Sequence, residues 1–223
     1  MLYVAIVMAL GLAQAAPQRE YSDPARRFRF SYPASFGDAS PGTNNGFGDR
    51  VAAIRFSVFS SNGIGGEAAL TRGFPVIDIQ AAGGLYDAIT LEVFPDALRR
   101  QIVGMLAPLS AANFCTQIAM EQHVDPQGPA FAALTAPQRA ALASADRMRN
   151  VNPRVLRCDV DGSTVTFDKE VAFAPGSPRQ HVYGAVRFLG APYSTFQIVR
   201  AGPAPDTALL NQMSMAVKSL SMP

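Results

Sequence analysis

Residues 155–173 read VLRCDVDGSTVTFDKEVAF and contain the pattern that decides the fold class. Two strand-like runs flank Asp161-Gly162, and an Asp-Gly pair in that position predicts a tight β-hairpin. A second hairpin is predicted directly downstream, where 181–189 and 193–200 are joined through Gly190-Ala191-Pro192. Because hairpins pair antiparallel, this region predicts a mainly antiparallel sheet.

Further strands are predicted towards the N-terminus. Aromatic and polar residues alternate in 27–33 (RFRFSYP), which is the period-two pattern of a half-buried strand ended by proline. The same alternation predicts a strand over 51–59 (VAAIRFSVF), and a third strand is predicted over 88–94.

From residue 95 to 150 the apolar spacing becomes that of a helix face. We predict one helix from 95 to 109, a second over 111–122 and a third that ends near 149. The third opens at Thr135-Ala136-Pro137-Gln138, which resembles a capping box. Near the C-terminus Asp206 is the predicted N-cap of a closing amphipathic helix.

This order of elements predicts the α+β class, with helices packed on a mainly antiparallel sheet in an arrangement resembling an α/β/α sandwich. We expect one domain over 16–223, in which the helical block 95–150 is an insertion. A chain of 223 residues is long enough for one full domain and short for two.

The first 15 residues have the pattern of a secretory signal peptide. An apolar run over 2–12 is followed by Ala13-Gln14-Ala15, the small-residue motif of a cleavage site. A run of about 11 residues is too short to cross a bilayer, which needs about 20. We therefore expect an exported protein, periplasmic or extracellular, whose mature chain has no membrane span. No Lys or Arg precedes the run, so an uncleaved anchor or an ordinary buried segment remains an alternative.

Export changes the interpretation of the two cysteines, Cys115 and Cys158. An even number of cysteines in an oxidising compartment predicts one disulfide bond between them. The alternative is two buried thiols that never meet.

Short motifs stand near both ends of the chain, Tyr21-Ser22-Asp23 and 28–36 (FRFSYPASF) at the start and 217–220 (VKSL) at the end. These segments resemble the ends of PsbP-like exported domains. The resemblance implies an α/β/α sandwich without catalytic machinery and a role in binding or assembly. It transfers no functional residue.

One string resembles a calcium-binding loop. Asp159, Asp161, Ser163 and Glu170 occupy positions 1, 3, 5 and 12 of an EF-hand pattern. Gly162, however, falls at position 4 rather than 6, and the flanks have strand patterns. The sequence therefore favours a hairpin turn.

A glycine-rich segment over 62–66 (NGIGG) precedes 67–70, which is compatible with a helix. Such a loop can bind phosphate at a helix N-terminus. No Gly-Lys-Ser or Gly-Lys-Thr follows it, so a surface loop is favoured.

The candidate ligand-binding residues are Arg179, His181 and Tyr183, which share one face if their segment is a strand. Such a face would bind an anion or simply meet solvent. The only other histidine is His123, and no zinc-ligand spacing surrounds either one. We expect no metal and no cofactor.

The charge pattern and the motifs favour binding over catalysis. The net charge is only +2, which gives no argument for nucleic acid as a partner. No Gly-x-Ser-x-Gly elbow is present. We expect a non-catalytic exported domain that binds a protein partner or small ligand in the cell envelope. The alternative is an exported hydrolase with dispersed catalytic residues, in which His181 would need a carboxylate on one side and a Ser or Cys on the other.

Overall fold

The computed structural model describes residues 17–42, 50–60, 66–72, 110–119, 134–137, 139–140, 151–172 and 178–223, with residues 132 and 176 singly. The predicted signal peptide, the predicted strand 88–94, the first predicted helix of the block 95–150 and His123 lie outside these residues.

The N-terminal part of the chain contributes short strands and one helical turn. They are β1 (Gln18–Ser22), β2 (Arg29–Pro33), a 3₁₀ turn (Ala34–Phe36), β3 (Ala39–Pro41), β4 (Arg50–Phe56), α1 (Ser57–Ser60) and β5 (Gly66–Arg72). The rest contributes α2 (Phe114–Ala119), β6 (Val151–Asp161), β7 (Thr164–Ala172), β8 (Gln180–Phe188), β9 (Tyr193–Gly202) and α3 (Thr207–Lys218).

Seven of the strands form one sheet in the order β3-β4-β5-β9-β8-β7-β6, and every neighbouring pair is antiparallel. β1 and β2 form a separate antiparallel hairpin. Both predicted hairpins are confirmed. At the β6–β7 turn Gly162 has φ +60°, a value that a two-residue turn of the primed type requires and that glycine adopts without steric cost. The α+β class is confirmed.

Described elements cover both faces of the sheet. α3 and the β1–β2 hairpin pack on one side, which we call the helix face. There they bury an aromatic cluster against strands β4, β5, β8 and β9. α2 packs on the opposite side, where Phe114 and Ile118 contact apolar residues of β7 and β8. The period-two alternation of each strand thus supplies two cores.

The predicted disulfide is confirmed. It joins Cys115 in α2 to Cys158 in β6, with the Cα atoms 5.8 Å apart. The predicted cap of the closing helix is confirmed as well. The Asp206 carboxylate accepts a hydrogen bond from the Leu209 backbone N–H at 2.7 Å, which satisfies one of the free donors at the start of α3.

Two predicted segments differ from the structure. β4 ends at Phe56, and 57–60 form the turn α1, because Ser57 bonds to Asp38 through both its backbone N–H and its hydroxyl. The segment 67–70 is a strand rather than a helix, since β5 pairs with β4 on one side and β9 on the other. Tertiary pairing overrides the local preference there.

The helical block 95–150 is described only in part. α2 falls within the predicted helix 111–122, and Ala136, Pro137, Arg139 and Ala140 have helical backbone where the third helix is predicted to begin. β6 begins before Pro153, which is tolerated because β6 ends the sheet in the described residues and has a register irregularity at that point. The single-domain boundary 16–223 remains a prediction.

Candidate functional site

Two of the three predicted ligand-binding residues lie together on the sheet. His181 and Tyr183 are two positions apart in β8 and point to the helix face, where Tyr183 is 1% exposed. Arg179 precedes the strand and is exposed. The prediction that the three share one strand face therefore holds for His181 and Tyr183, and Arg179 lies just before the strand.

His181 is held between two carboxylates. Its Nδ1 lies 2.9 Å from Asp168 Oδ1, and its Nε2 lies 3.6 Å from Glu170 Oε1. Glu170 is paired in turn with Arg154, at 3.3 Å. The side chains of Asp168, Glu170 and His181 are 11–23% exposed. We call Arg154, Asp168, Glu170 and His181 the carboxylate–histidine cluster.

The register of three strands produces this cluster. Arg154 of β6 is opposite Glu170 of β7, and Glu170 is opposite His181 of β8. Directly opposed residues have neighbouring side chains on one face. A row of polar side chains therefore crosses three strands.

A second row runs beside the first. Asp168 is opposite Tyr183, Tyr183 is opposite Arg200 of β9, and Arg200 is opposite Gly66 of β5. Burial raises the pKa of Tyr183, and the nearby Arg200 guanidinium partly opposes that increase. The Arg200 guanidinium carbon also lies 4.6 Å from the centre of the Phe59 ring, within the range of a cation–π contact.

Sequence reasoning missed Asp168, Glu170, Arg154 and Arg200 as members of one site. The signal that identifies them is the hairpin register. Asp161 pairs with Thr164 across the Gly162-Ser163 turn, and register shifts along β6 then bring Arg154 opposite Glu170. The second hairpin brings Arg200 opposite Tyr183. The partner of β7 in β8 cannot be derived in this way, because a longer connection joins those two strands.

The arrangement around His181 differs from that of a hydrolase. In a Ser-His-Asp triad one ring nitrogen faces the carboxylate and the other faces the nucleophile. Asp168 supplies the carboxylate, but the other nitrogen faces Glu170 rather than a hydroxyl or thiol. Across the described residues, no group of three His, Cys, Asp or Glu side chains is arranged to hold a metal ion.

The calcium-like string does not assemble into a loop. Asp161 lies at the β6–β7 turn and pairs with Lys218, whereas Glu170 lies six residues along β7 from Thr164. At about 3.3 Å per residue, six residues of strand separate the turn and Glu170 by about 20 Å. The favoured hairpin turn is confirmed.

A buried lysine lies on the opposite face of the sheet. Lys169 is 2% exposed, and its neighbours across the strands are Val155 and Val182. Burial lowers its pKa from 10.5 to about 8. Desolvation is the cause, because an apolar environment disfavours the charged ammonium.

Replacing Lys169 with Met is expected to stabilise the protein by about 3 kcal/mol at pH 7, since one pKa unit corresponds to about 1.4 kcal/mol. Between about pH 8 and 10.5 the unfolded chain binds more protons than the folded one, so wild-type stability increases with pH through that window. Below about pH 8 folding carries the full cost of burying the charged Lys169 ammonium. The gain of Lys169→Met therefore disappears as the pH approaches 10.5.

Urea denaturation of both proteins at pH 7 and pH 10.5 measures this effect. Lys218→Met is the matched control, because Lys218 is the other lysine of the chain and is exposed beside Asp161. Its ion pair with Asp161 is at the surface, where such pairs contribute little to stability. A Lys169→Met protein that is less stable than wild type at pH 7 would contradict the prediction.

No helix in the described residues is both long and apolar enough to cross a membrane.

Comparison with known proteins finds a weak structural similarity. No protein-family model matches the sequence, and no curated protein matches it. The solution structure of cyanobacterial PsbP (CyanoP) from Synechocystis sp. PCC 6803 covers 96% of this chain and 96% of its own, with 9% sequence identity and a TM-score of 0.38. No conclusion about function follows from this weak likeness.

Proposed function

We propose that this chain is an exported, non-catalytic domain that binds a small ligand or a protein partner in the cell envelope. The proposed binding surface is the carboxylate–histidine cluster with Arg200 near it, whereas the Tyr183 side chain belongs to the buried core. The observation that carries the proposal is the partial exposure of Asp168, Glu170 and His181, at 11–23%, beside residues of the same face that are fully buried. Polar groups held in a fixed arrangement at a partly open position suit recognition.

Export is supported by the cysteines. Both cysteines are joined in one bridge, and such bridges persist in oxidising compartments and are rare where thiols are kept reduced. The small-residue motif after the apolar run at 2–12 points to the same compartment.

Binding is favoured over hydrolysis by the surroundings of His181. A general base has to reach the proton that it abstracts, within hydrogen-bond distance. Both ring nitrogens of His181 face carboxylates, so neither nitrogen faces a hydroxyl or a thiol. This arrangement favours a rigid polar surface over a nucleophile and its base.

Native mass spectrometry of the protein purified from its own cell envelope tests this proposal. We expect a chain that begins near Ala16, a mass two hydrogens below the reduced value, and extra mass that leaves on denaturation. A full-length chain from the cytosol with both thiols free would overturn export. A chain that carries no ligand and co-purifies with no partner under mild crosslinking would overturn binding.

A further inference from the structure

β6 is the last strand of the sheet in the described residues. β7 pairs with one of its sides, and no described strand pairs with the other. An open edge presents a row of backbone N–H and C=O groups, which is a template for pairing with another strand. Edge strands that must stay unpaired are often very short, whereas β6 has 11 residues.

Two apolar side chains are exposed along this edge. Leu156 is 42% exposed and Val160 is 51% exposed. The β6–β7 register shifts between Val155 and Arg157, so Leu156 has no opposite residue in β7. From Arg157 to Asp161 the register is regular. Burial of both apolar side chains against a further strand would be favourable, because it removes apolar surface from water.

Two opposite charges stand between these apolar residues. Arg157 and Asp159 form a surface ion pair within β6, and their side chains are 37% and 57% exposed. The segment 156–160 therefore has the order apolar, basic, cysteine, acidic, apolar. Reversing the chain direction about Cys158 exchanges the two apolar residues with each other and the arginine with the aspartate. The segment is thus complementary to itself in the antiparallel direction.

We propose that two copies of this chain pair through their β6 edges in the antiparallel direction, with Cys158 of each copy at the two-fold axis. Arg157 then lies opposite Asp159 of the second copy, and Leu156 lies opposite Val160 of the second copy. Opposed pairs of opposite charge stabilise antiparallel strands, and like charges in that position destabilise them. The two-fold symmetry makes every such contact twice.

The charges select this register over its neighbours. With the axis at Asp159, the two aspartates would oppose each other, and with the axis at Arg157, the two arginines would do so. Both arrangements place like charges directly opposite one another. The dimer goes beyond the proposed ligand-binding function and does not depend on it, because Asp168, Glu170 and His181 take no part in the pairing.

Charge reversal on β6 tests the dimer. Analytical ultracentrifugation of the purified wild type should give an average mass that increases with protein concentration from one chain towards two. Arg157→Asp places carboxylates opposite each other, and Asp159→Arg does the same with guanidinium groups. Each variant alone should associate about tenfold more weakly than wild type, because each like-charge pair occurs twice.

Mixing the two variants in equal amounts should restore association. In a mixed dimer every charged position of one copy lies opposite a position of opposite charge in the other. Native mass spectrometry separates the mixed dimer from the two like dimers, since the variants differ in mass. Misfolding of either variant cannot produce this recovery.

Arg19→Asp is the matched control. It reverses one charge of the surface ion pair between Arg19 and Asp38, which lies outside β6. This variant should associate as wild type does.

Three outcomes would overturn the proposal. One is a wild-type protein that stays a single chain at every concentration that its solubility permits. The second is association of both single β6 variants within twofold of wild type. The third is a mixture of the two variants that associates no better than either one alone, which would place any dimer on another surface.

Discussion

Replacing Phe30 with Ala is expected to lower the free energy of unfolding by about 4 kcal/mol, the middle of the range for removing a buried phenylalanine. Phe30 is 1% exposed and lies where the β1–β2 hairpin meets the sheet. Its ring lies within 4.9–6.4 Å of four other rings, those of Tyr21, Tyr32, Phe56 and Phe196. Alanine would leave a cavity that these large side chains cannot close without leaving their own rotamers.

Urea denaturation followed by circular dichroism measures the loss. Met215→Ala is a suitable control, because Met215 is 56% exposed on α3, the helix that shares this core. Surface substitutions of that kind usually change stability by less than about 0.5 kcal/mol. A loss below 1 kcal/mol for Phe30→Ala would mean that the hairpin does not pack on the sheet in solution.

Removing the disulfide is expected to lower the free energy of unfolding by about as much as Phe30→Ala does. Replacing both Cys115 and Cys158 with Ser opens a loop with a sequence separation of 43 residues. The chain-entropy model gives about 4 kcal/mol for a loop of that length, because the bridge restricts the unfolded ensemble. The bridge also joins α2 to β6, so its loss weakens the attachment of α2 to the sheet.

Chemical denaturation of wild type and the double serine variant, each with and without dithiothreitol, checks this prediction. The reductant should lower wild-type stability to that of the variant and leave the variant unchanged. Equal stability of oxidised wild type and variant would show that the bridge does not constrain the unfolded chain. An effect of the reductant on the variant would place the cause elsewhere than in this bond.

Local patterns were sufficient for the hairpins and the closing helix. Asp161-Gly162 between alternating runs decides both the turn and the antiparallel direction, because only a tight primed turn joins two adjacent strands there. Asp206 identifies the start of α3 for an equally local reason, since the free N–H groups of a helix need a nearby acceptor.

Short strands and elements whose partners are distant in sequence were predicted poorly. β1 and β3 have little pattern of their own, and they form strands because β2 and β4 supply their hydrogen-bond partners. The segment 67–70 is short and rich in alanine, so its state depends on β4 and on β9, which lies more than a hundred residues away. Propensity is a weak guide where pairing decides the conformation.

The candidate site was likewise predicted only in part from the sequence. The sequence alone determined the α+β class, the two hairpins, the cysteine pair, and the placement of His181 and Tyr183 on one strand face, because each depends on residue type and short-range spacing. Only the tertiary structure decided that Asp168 and Glu170 flank His181. Those contacts require the register between β7 and β8, and register between strands is set by packing of the whole sheet.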